Sequence, residues 1–326
     1  MTILVTADWH LNDNPRDEYR HQFQRKLRGL VEDNQATTVV MLGDLTEAKE
    51  GHNAHLVNRI MNQLALLSRL AHVIILKGNH DYIDPACPFF GFVHHMPNIE
   101  WVGKPCVLKI DGKYYTFLPH TDNYKADWHP SFFKGSTVFA HATFKGAVSE
   151  SGRELDGIPR DAIVSGLPVI AGDVHVPQTI GHVTYVGSPY TIKFGDDFVP
   201  RVLIIKKGRI TSVPCPGQQK RLIRVTSLDE AKKKIQSKPK DIMKVQIAWD
   251  GQRIEEWRTA RRDLLEWSRA RGIELHGVEA VVDAPERAKK YQAGQAQRDD
   301  EIIAAYCKAN DVNQVLEKVG QKIAKG

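Results

Sequence analysis

Cysteine is scarce in this chain: there are four in 326 residues, at positions 87, 106, 215 and 307, and no two stand at C-x-x-C spacing. That excludes a zinc ribbon and a thioredoxin-like site, and isolated thiols fit a reducing compartment, the cytoplasm. Long hydrophobic runs are missing too. None reaches the roughly 18 residues that a membrane helix needs, so no membrane partner is expected. The opening residues, Met1 to Val5, lack a basic start and lead straight into a polar motif, so they read as a buried strand and not as a secretion signal. Repeats and low-complexity tracts are absent. So is any excess of one charge over residues 1–216, which carry 22 basic and 22 acidic residues. The net charge of +6 comes entirely from residues 217–326, with 23 and 17. A basic region beside a neutral one fits a polyanionic partner, or else a solvated lysine-rich surface.

What is present is a strict alternation. Residues 2–7, 37–42 and 72–76 are short β-rich runs. Between them, Phe23, Leu27, Leu30 and Val31, then Leu56, Ile60, Leu64 and Leu67, recur at helical spacing. Strand, helix, strand, helix, strand implies a parallel βαβαβ layer. Residues 100–119 read as short antiparallel strands around Asp111-Gly112, and further apolar runs follow at 137–140, 168–171, 183–187, 201–206 and 209–213. The economical architecture is an α/β (α+β) mixed-sheet sandwich with flanking helices. Pro214, Pro216 and Gly217 mark a boundary. Beyond it, strand, helix, strand, helix and strand over 217–283 form a small α+β unit. From 284 to 326 a polar helical tail is expected, with Val312, Val315, Leu316, Val319 and Ile323 on one stripe.

Ligand-type residues follow the predicted strands, where open α/β sheets place their sites. Asp8-Trp9-His10 follows the first, and an i, i+2 pair in extended chain can point both side chains one way. Gly43-Asp44 follows the second, Gly78-Asn79-His80-Asp81 the third. His141 ends a fourth run, and Gly172-Asp173-Val174-His175 follows a fifth. Each is ordinary alone: Gly-Asp also reads as a turn or a helix cap. Together they supply seven oxygen and nitrogen ligands, Asp8, His10, Asp44, Asn79, His141, Asp173 and His175, enough for two divalent cations sharing Asp44. His80 is a candidate acid or phosphate clamp, and Asp81 a candidate to orient its imidazole. His120 and His182 are lesser candidates for groups standing behind the ligands.

The series D-x-H, G-D, G-N-H-D, H and G-x-x-H resembles the signature of the calcineurin-like metallophosphoesterases. Within them the chain is similar to the SbcD-type DNA-repair nuclease subunits of bacteria and their phage counterparts. Ala7-Asp8-Trp9-His10-Leu11, Val186-Gly187-Ser188-Pro189-Tyr190 and Phe194-Gly195-Asp196 carry that likeness. The resemblance implies a four-layer α/β/β/α sandwich over 1–216, a capping, DNA-binding domain over 217–283 and a tail over 284–326 that docks an SbcC-like ATPase. It implies one ion on Asp8, His10, Asp44 and His175, a second on Asp44, Asn79, His141 and Asp173, and His80 as the catalytic histidine. It also implies a homodimer, and a cytoplasmic location, the host's for a phage-borne chain. Two positions depart from the pattern: Asp173 stands where histidine is usual, and Glu47 where a histidine often touches phosphate. A carboxylate at 173 hardens the second site and favours Mn²⁺ or Mg²⁺.

Three readings follow. The first is a Mn²⁺-dependent exonuclease or endonuclease acting on duplex or single-stranded DNA ends. The second is a phosphatase or cyclic-nucleotide phosphodiesterase with the same centre. The third is a metal-free scaffold that binds DNA or a partner. The basic appended unit separates the first from the second, and the complete ligand set speaks against the third. Residues Lys220, Arg221 and Arg224, Lys232 to Lys234, and Arg258, Arg261 and Arg262 are candidates to follow DNA phosphates, with a solvated helix face as the alternative.

Overall fold

In the computed structural model, which describes residues 1–163, 166–215, 217–237, 240–249 and 254–281, the apolar runs become the strands of two six-stranded sheets. The first sheet is built from β1 (Thr2–Thr6), β2 (Thr38–Met41), β3 (His72–Leu76) and β4 (Ile99–Val102), all parallel. The second is built from the hairpin β5 (Cys106–Ile110) and β6 (Lys113–Leu118), then β7 (Val138–His141), β8 (Val169–Gly172), β9 (Gln178–Ile180) and β10 (Val183–Tyr185). β11 (Arg201–Lys206) and β12 (Arg209–Pro214) return to the first sheet. The orders are β12-β11-β1-β2-β3-β4 and β5-β6-β7-β8-β10-β9. One expectation is corrected: residues 100–119 are not one antiparallel group. Ile99–Val102 joins the first sheet parallel to β3, and only the hairpin about Asp111-Gly112 belongs to the second.

Period-two alternation explains the layering. Ile3, Val5, Val40, Leu42, Ile74 and Leu76 point from the first sheet toward Phe117, Phe139 and Ile170 of the second, forming the layer between sheets. Leu4, Val39, Met41, Val73 and Ile75 point the other way. There they meet α1 (Glu18–Asp33), through Tyr19, Phe23, Leu27 and Val31, and α2 (Ala54–Ser68), through Leu56, Ile60, Leu64 and Leu67. A strand covered on both faces carries no polar alternation, which is why these runs read as continuously apolar. The outer face of the second sheet is covered differently, by the four-residue α3 (Tyr124–Asp127) and by loop residues Trp128, Phe133, Phe144 and Ile163.

A three-stranded sheet, order β13-β14-β15, follows: β13 (Lys220–Val225), β14 (Ile242–Ala248) and β15 (Leu275–Val281), with α4 (Leu228–Gln236) and α5 (Ile254–Arg269). Ser227 caps α4 by accepting the Glu230 N–H at 3.2 Å. The joint to the first sheet is polar: Lys220 Nζ lies 2.6 Å from Asp17 Oδ1, and its backbone N–H donates to Thr191 Oγ1 at 2.7 Å. The chain divides into two compact units, residues 1–248 with 252–280, and 249–251 with 281–326. The second, and with it the tail expected over 284–326, lies almost wholly outside the described residues.

Candidate metal centre

Each ligand-type residue stands at, or just past, the carboxyl end of a strand. Asp8 and His10 follow β1, Asp44 follows β2, Asn79, His80 and Asp81 follow β3, His141 ends β7, and Asp173 and His175 follow β8. Thr6 pairs with Met41, Met41 with Ile75, and His141 with Gly172, so parallel registers bring these ends together.

The backbone there is forced. Asp8, His10, Asp44 and Asp173 have φ of 53°, 44°, 55° and 83°, half of the eight non-glycine residues with positive φ among the described residues. Such conformations cost about 1–3 kcal/mol each and persist only where neighbours hold them. The holders are visible. The Asp8 and His10 N–H groups donate to Gly43 O and Asp44 O at 3.2 and 2.9 Å. The Ser188 hydroxyl donates to Asp8 O at 3.2 Å, and the Tyr190 hydroxyl to Trp9 O. This is what the Gly-Ser-Pro-Tyr segment does. Two glycines permit the close approach: a Cβ on Gly43 would lie 2.3 Å from His141 Nδ1, and one on Gly78 would lie 2.2 Å from Asp44 Oδ1.

The donor atoms converge in three overlapping groups, each within 4.8 Å: Asp8, His10 and His175; Asp8, Asp44 and His141; and His10, Asp44 and His80. His10 Nε2 faces His175 Nε2 at 3.1 Å and Asp44 Oδ2 at 3.4 Å. His141 Nε2 is 3.5 Å from Asp44 Oδ1 and 3.7 Å from Asp173 Oδ1. One atom of the Asn79 amide lies 2.9 Å from His141 Nε2 and 3.2 Å from both Asp44 oxygens. As nitrogen it would donate to Asp44; as oxygen it joins acceptors that only a cation reconciles.

The residues fit a divalent cation on independent grounds. Asp8 Oδ2 is buried without a hydrogen-bond partner, a costly state for an acceptor unless something positive faces it. His141 Nδ1 donates to Leu42 O at 2.5 Å, and His175 Nδ1 is 2.6 Å from Glu150 Oε1. Both contacts turn the Nε2 lone pair inward, as in metal-binding histidines. Thr143 donates its hydroxyl to Asp173 Oδ2 at 2.5 Å. Mixed carboxylate, amide and imidazole donors suit Mn²⁺, Fe²⁺ or Zn²⁺.

Electrostatics agree. Burial pushes Asp8 up to about 7, although His141 and His175 oppose it. Burial would lower His141, but Asp44, Asp173 and Asp8 outweigh it and hold the imidazole up at about 9. Burial, then His175 and His80, depress His10 well below the usual range. Without cations the site shares protons among carboxylates and imidazoles that would otherwise all be ligands.

Sequence reasoning placed Asp81 against the His80 imidazole, and the structure corrects this. The Asp81 carboxylate accepts backbone N–H groups of Asp44, Leu45 and Gly78 at 3.0, 2.9 and 2.6 Å. It ties the loop after β2 to the loop after β3. His80 is instead held through Nδ1 by Glu47 O at 2.7 Å, with its own N–H on Asp44 Oδ1 at 2.8 Å. His80 and Asp81 lie in the turn that follows β3, where the Asp81 N–H donates to Gly78 O at 3.3 Å, and this turn directs the carboxylate to backbone N–H groups and away from the imidazole.

Three contributors were not foreseen. Glu150 and Thr143 come from the long loop after β7. Arg20, buried in α1, donates to His10 O at 2.5 Å and to Glu47 Oε2 at 2.9 Å, with Asp17 Oδ2 at 3.2 Å. Its signal was a charged side chain on the same stripe as Gln24, Leu27 and Val31. The basic residues of the small sheet are largely engaged nearby: Lys220 with Asp17, Arg221 with Asp241, Lys234 with Glu230, Arg258 with Glu255 and Arg262 with Asp263.

Residues 1–158 match the family model of the calcineurin-like phosphoesterases. This stretch is just under half of the chain, and over it the chain is similar to the calcineurin-like metallophosphoesterases. Asp173 and His175 lie beyond it; His175 joins the donor group of Asp8 and His10, and Asp173 Oδ1 reaches 3.7 Å from His141 Nε2. The clusters give this phosphoesterase fold the capacity for one or two divalent ions, as a metal-dependent hydrolase requires. Exonuclease subunit 1 of Enterobacteria phage T4 is 24% identical over 215 residues, 62% of this chain and 63% of that protein. The match thus spans less than two thirds of the relative. Among solved structures, an archaeal phosphodiesterase overlaps 66% of this chain and 99% of its own, at 13% identity and a TM-score of 0.37. A Pseudomonas putida nuclease, MPE, overlaps 65% and 72%, at 16% identity and a TM-score of 0.31. Among the described residues no helix is long and apolar enough to cross a membrane.

Proposed function

We propose that this chain is a Mn²⁺-dependent DNA nuclease, an SbcD-like subunit that hydrolyses phosphodiester bonds at DNA ends. The observation that carries the reading is the set of three donor groups overlapping at Asp8, His10 and Asp44, with His80 at its edge. The similarity to a phage exonuclease subunit supports a nucleic-acid substrate.

Asp8, His10, Asp44 and His175 would hold one ion, and Asp44, Asn79, His141 and Asp173 the other. Two such ions, when bound, neutralise a phosphate and acidify a water molecule. The chain's own residues do the rest. Asp44, fixed by the Asp81 clamp at its backbone, keeps both halves of the site in register. His80, whose Nδ1 donates to Glu47 O, would act in its doubly protonated form, donating a hydrogen bond from Nε2 to the leaving oxygen. Glu47 and Arg20 brace the loops that carry His80 and His10.

Residues 1–216 would form the nuclease domain and 217–283 a cap, with 284–326 docking an SbcC-like ATPase in the cytoplasm; a homodimer is part of the same proposal. Exposed pairs on the cap, such as Arg258 with Glu255, are weak in water and can exchange a carboxylate for a DNA phosphate.

The test is degradation of end-labelled linear duplex by the purified chain with Mn²⁺, beside His80→Ala and a cyclic nucleotide as alternative substrate. Mn²⁺-dependent cleavage lost in the variant supports the reading. Hydrolysis of the cyclic nucleotide alone moves the protein to the small-substrate phosphodiesterases.

A further inference from the structure

One imidazole at the same edge belongs to none of the donor groups. His120 follows β6, the neighbour of β7. Leu118 pairs with Ala140, so the chain reaches His120 just past the level of His141. Its backbone N–H donates to Lys77 O at 2.8 Å, which ties it to the end of β3. Its ring stands edge-on to that of His141, with centroids 6.1 Å apart at 77°.

The ring is held from behind. Tyr82 Oη lies 2.8 Å from His120 Nδ1. Tyr82 is itself buried, and the Nζ of the buried Lys77 sits 4.5 Å over its ring. A buried phenol needs an acceptor for its proton, and Nδ1 is the hydrogen-bond partner the structure gives it. With Nδ1 accepting, the ring proton is on Nε2. No hydrogen bond from Nε2 to another described residue is formed, and the ring is only partly buried. A donor is thus fixed, aimed by two supports and left free at the rim of the centre.

We propose that His120, positioned by Tyr82, donates a hydrogen bond through Nε2 to a non-bridging oxygen of the substrate phosphate on the His141 and Asn79 side. His80 stands on the other side, beside His10, with ring centroids 4.7 Å apart. The two imidazoles would hold the phosphate between them. The proposal rests on the phosphodiesterase reading and adds a substrate-binding residue to it. It makes His120 a donor to an anion, not a ligand to a cation.

The experiment uses the full-length chain with Mn²⁺ and compares wild type with H120A, H120Q and Y82F. Three quantities are read: kinetics on bis(p-nitrophenyl) phosphate, inorganic phosphate binding by calorimetry, and Mn²⁺ binding by calorimetry. A lost hydrogen bond to a phosphate is expected to raise KM and the phosphate Kd about tenfold in H120A. kcat should stay within about twofold, because the contact serves ground and transition states alike. H120Q should recover part of the loss through its amide N–H, Y82F should fall between, and Mn²⁺ affinity should not change. Unchanged KM and phosphate Kd would overturn the proposal, as would weakened Mn²⁺ binding. Should H120A misfold, H120Q and Y82F carry the same comparison. If the wild type hydrolyses no phosphodiester, the phosphodiesterase reading falls, yet the phosphate titration still decides the role of His120. A wild type that binds no phosphate sinks the proposal outright.

Discussion

Asp8, His10, Asp44 and Asp173 adopt backbone conformations that few residues tolerate, and asparagine is one that does. Asp44→Asn therefore removes a ligand charge without adding torsional strain, whereas alanine would confound the two. It is expected to abolish Mn²⁺-dependent hydrolysis and to weaken Mn²⁺ binding, read by calorimetry, while the fold persists by circular dichroism. His80→Ala is expected to keep Mn²⁺ and lose about 10²- to 10⁴-fold in kcat, the usual size of a proton-donating group's contribution. Glu150→Gln, which weakens the contact at His175 Nδ1, should lower Mn²⁺ affinity about 10- to 100-fold. The ligand types were legible at this scale because they follow apolar runs. Glu150 was not, since it meets His175 across a loop that has no period. Nor was the true role of Asp81, which depends on which way one side chain turns.

At the scale of elements, the βαβαβ half was readable because each strand is buried on both faces and each helix shows one stripe. β9 was not, having three residues and no buried face, and β4 was assigned to the wrong partners because pairing is decided across the fold. Ile60, fully buried in α2, marks a purely structural position: Ile60→Ala should cost about 2–5 kcal/mol in urea unfolding. The joint between the first sheet and the small sheet is different, because it is ionic. Burial alone would raise Asp17, yet Lys220, Arg20 and Asn12 hold it below its ordinary value of 3.8. A carboxylate depressed on folding adds stability above its unfolded pKa, and that stability is lost as pH falls through the folded value. Asp17→Asn should thus be less stable than wild type at pH 7, by about 3 kcal/mol. The difference should close as pH is lowered through and below the range of free carboxylates. A gap in urea midpoints that stays constant down to pH 3 would contradict this account of the joint.

For the molecule as a whole, the centre draws its donors from both sheets: Asp8, His10, Asp44, Asn79 and His80 from the first, and His141, Asp173 and His175 from the second. Chelation is expected to lower the melting temperature and added Mn²⁺ to restore it, by about 2.7 kcal/mol of stability at a hundredfold excess over Kd. An ion gripped from two sheets acts as a clasp across the sandwich, and a clasp works in both directions. Anything that lets the sheets slide must loosen the ion, even from the far side of the inter-sheet layer. Phe139, two residues before His141 and packed against Phe117 at 5.1 Å, is such a lever. Trimming it to leucine would be felt as a weaker grip on Mn²⁺, with no ligand touched.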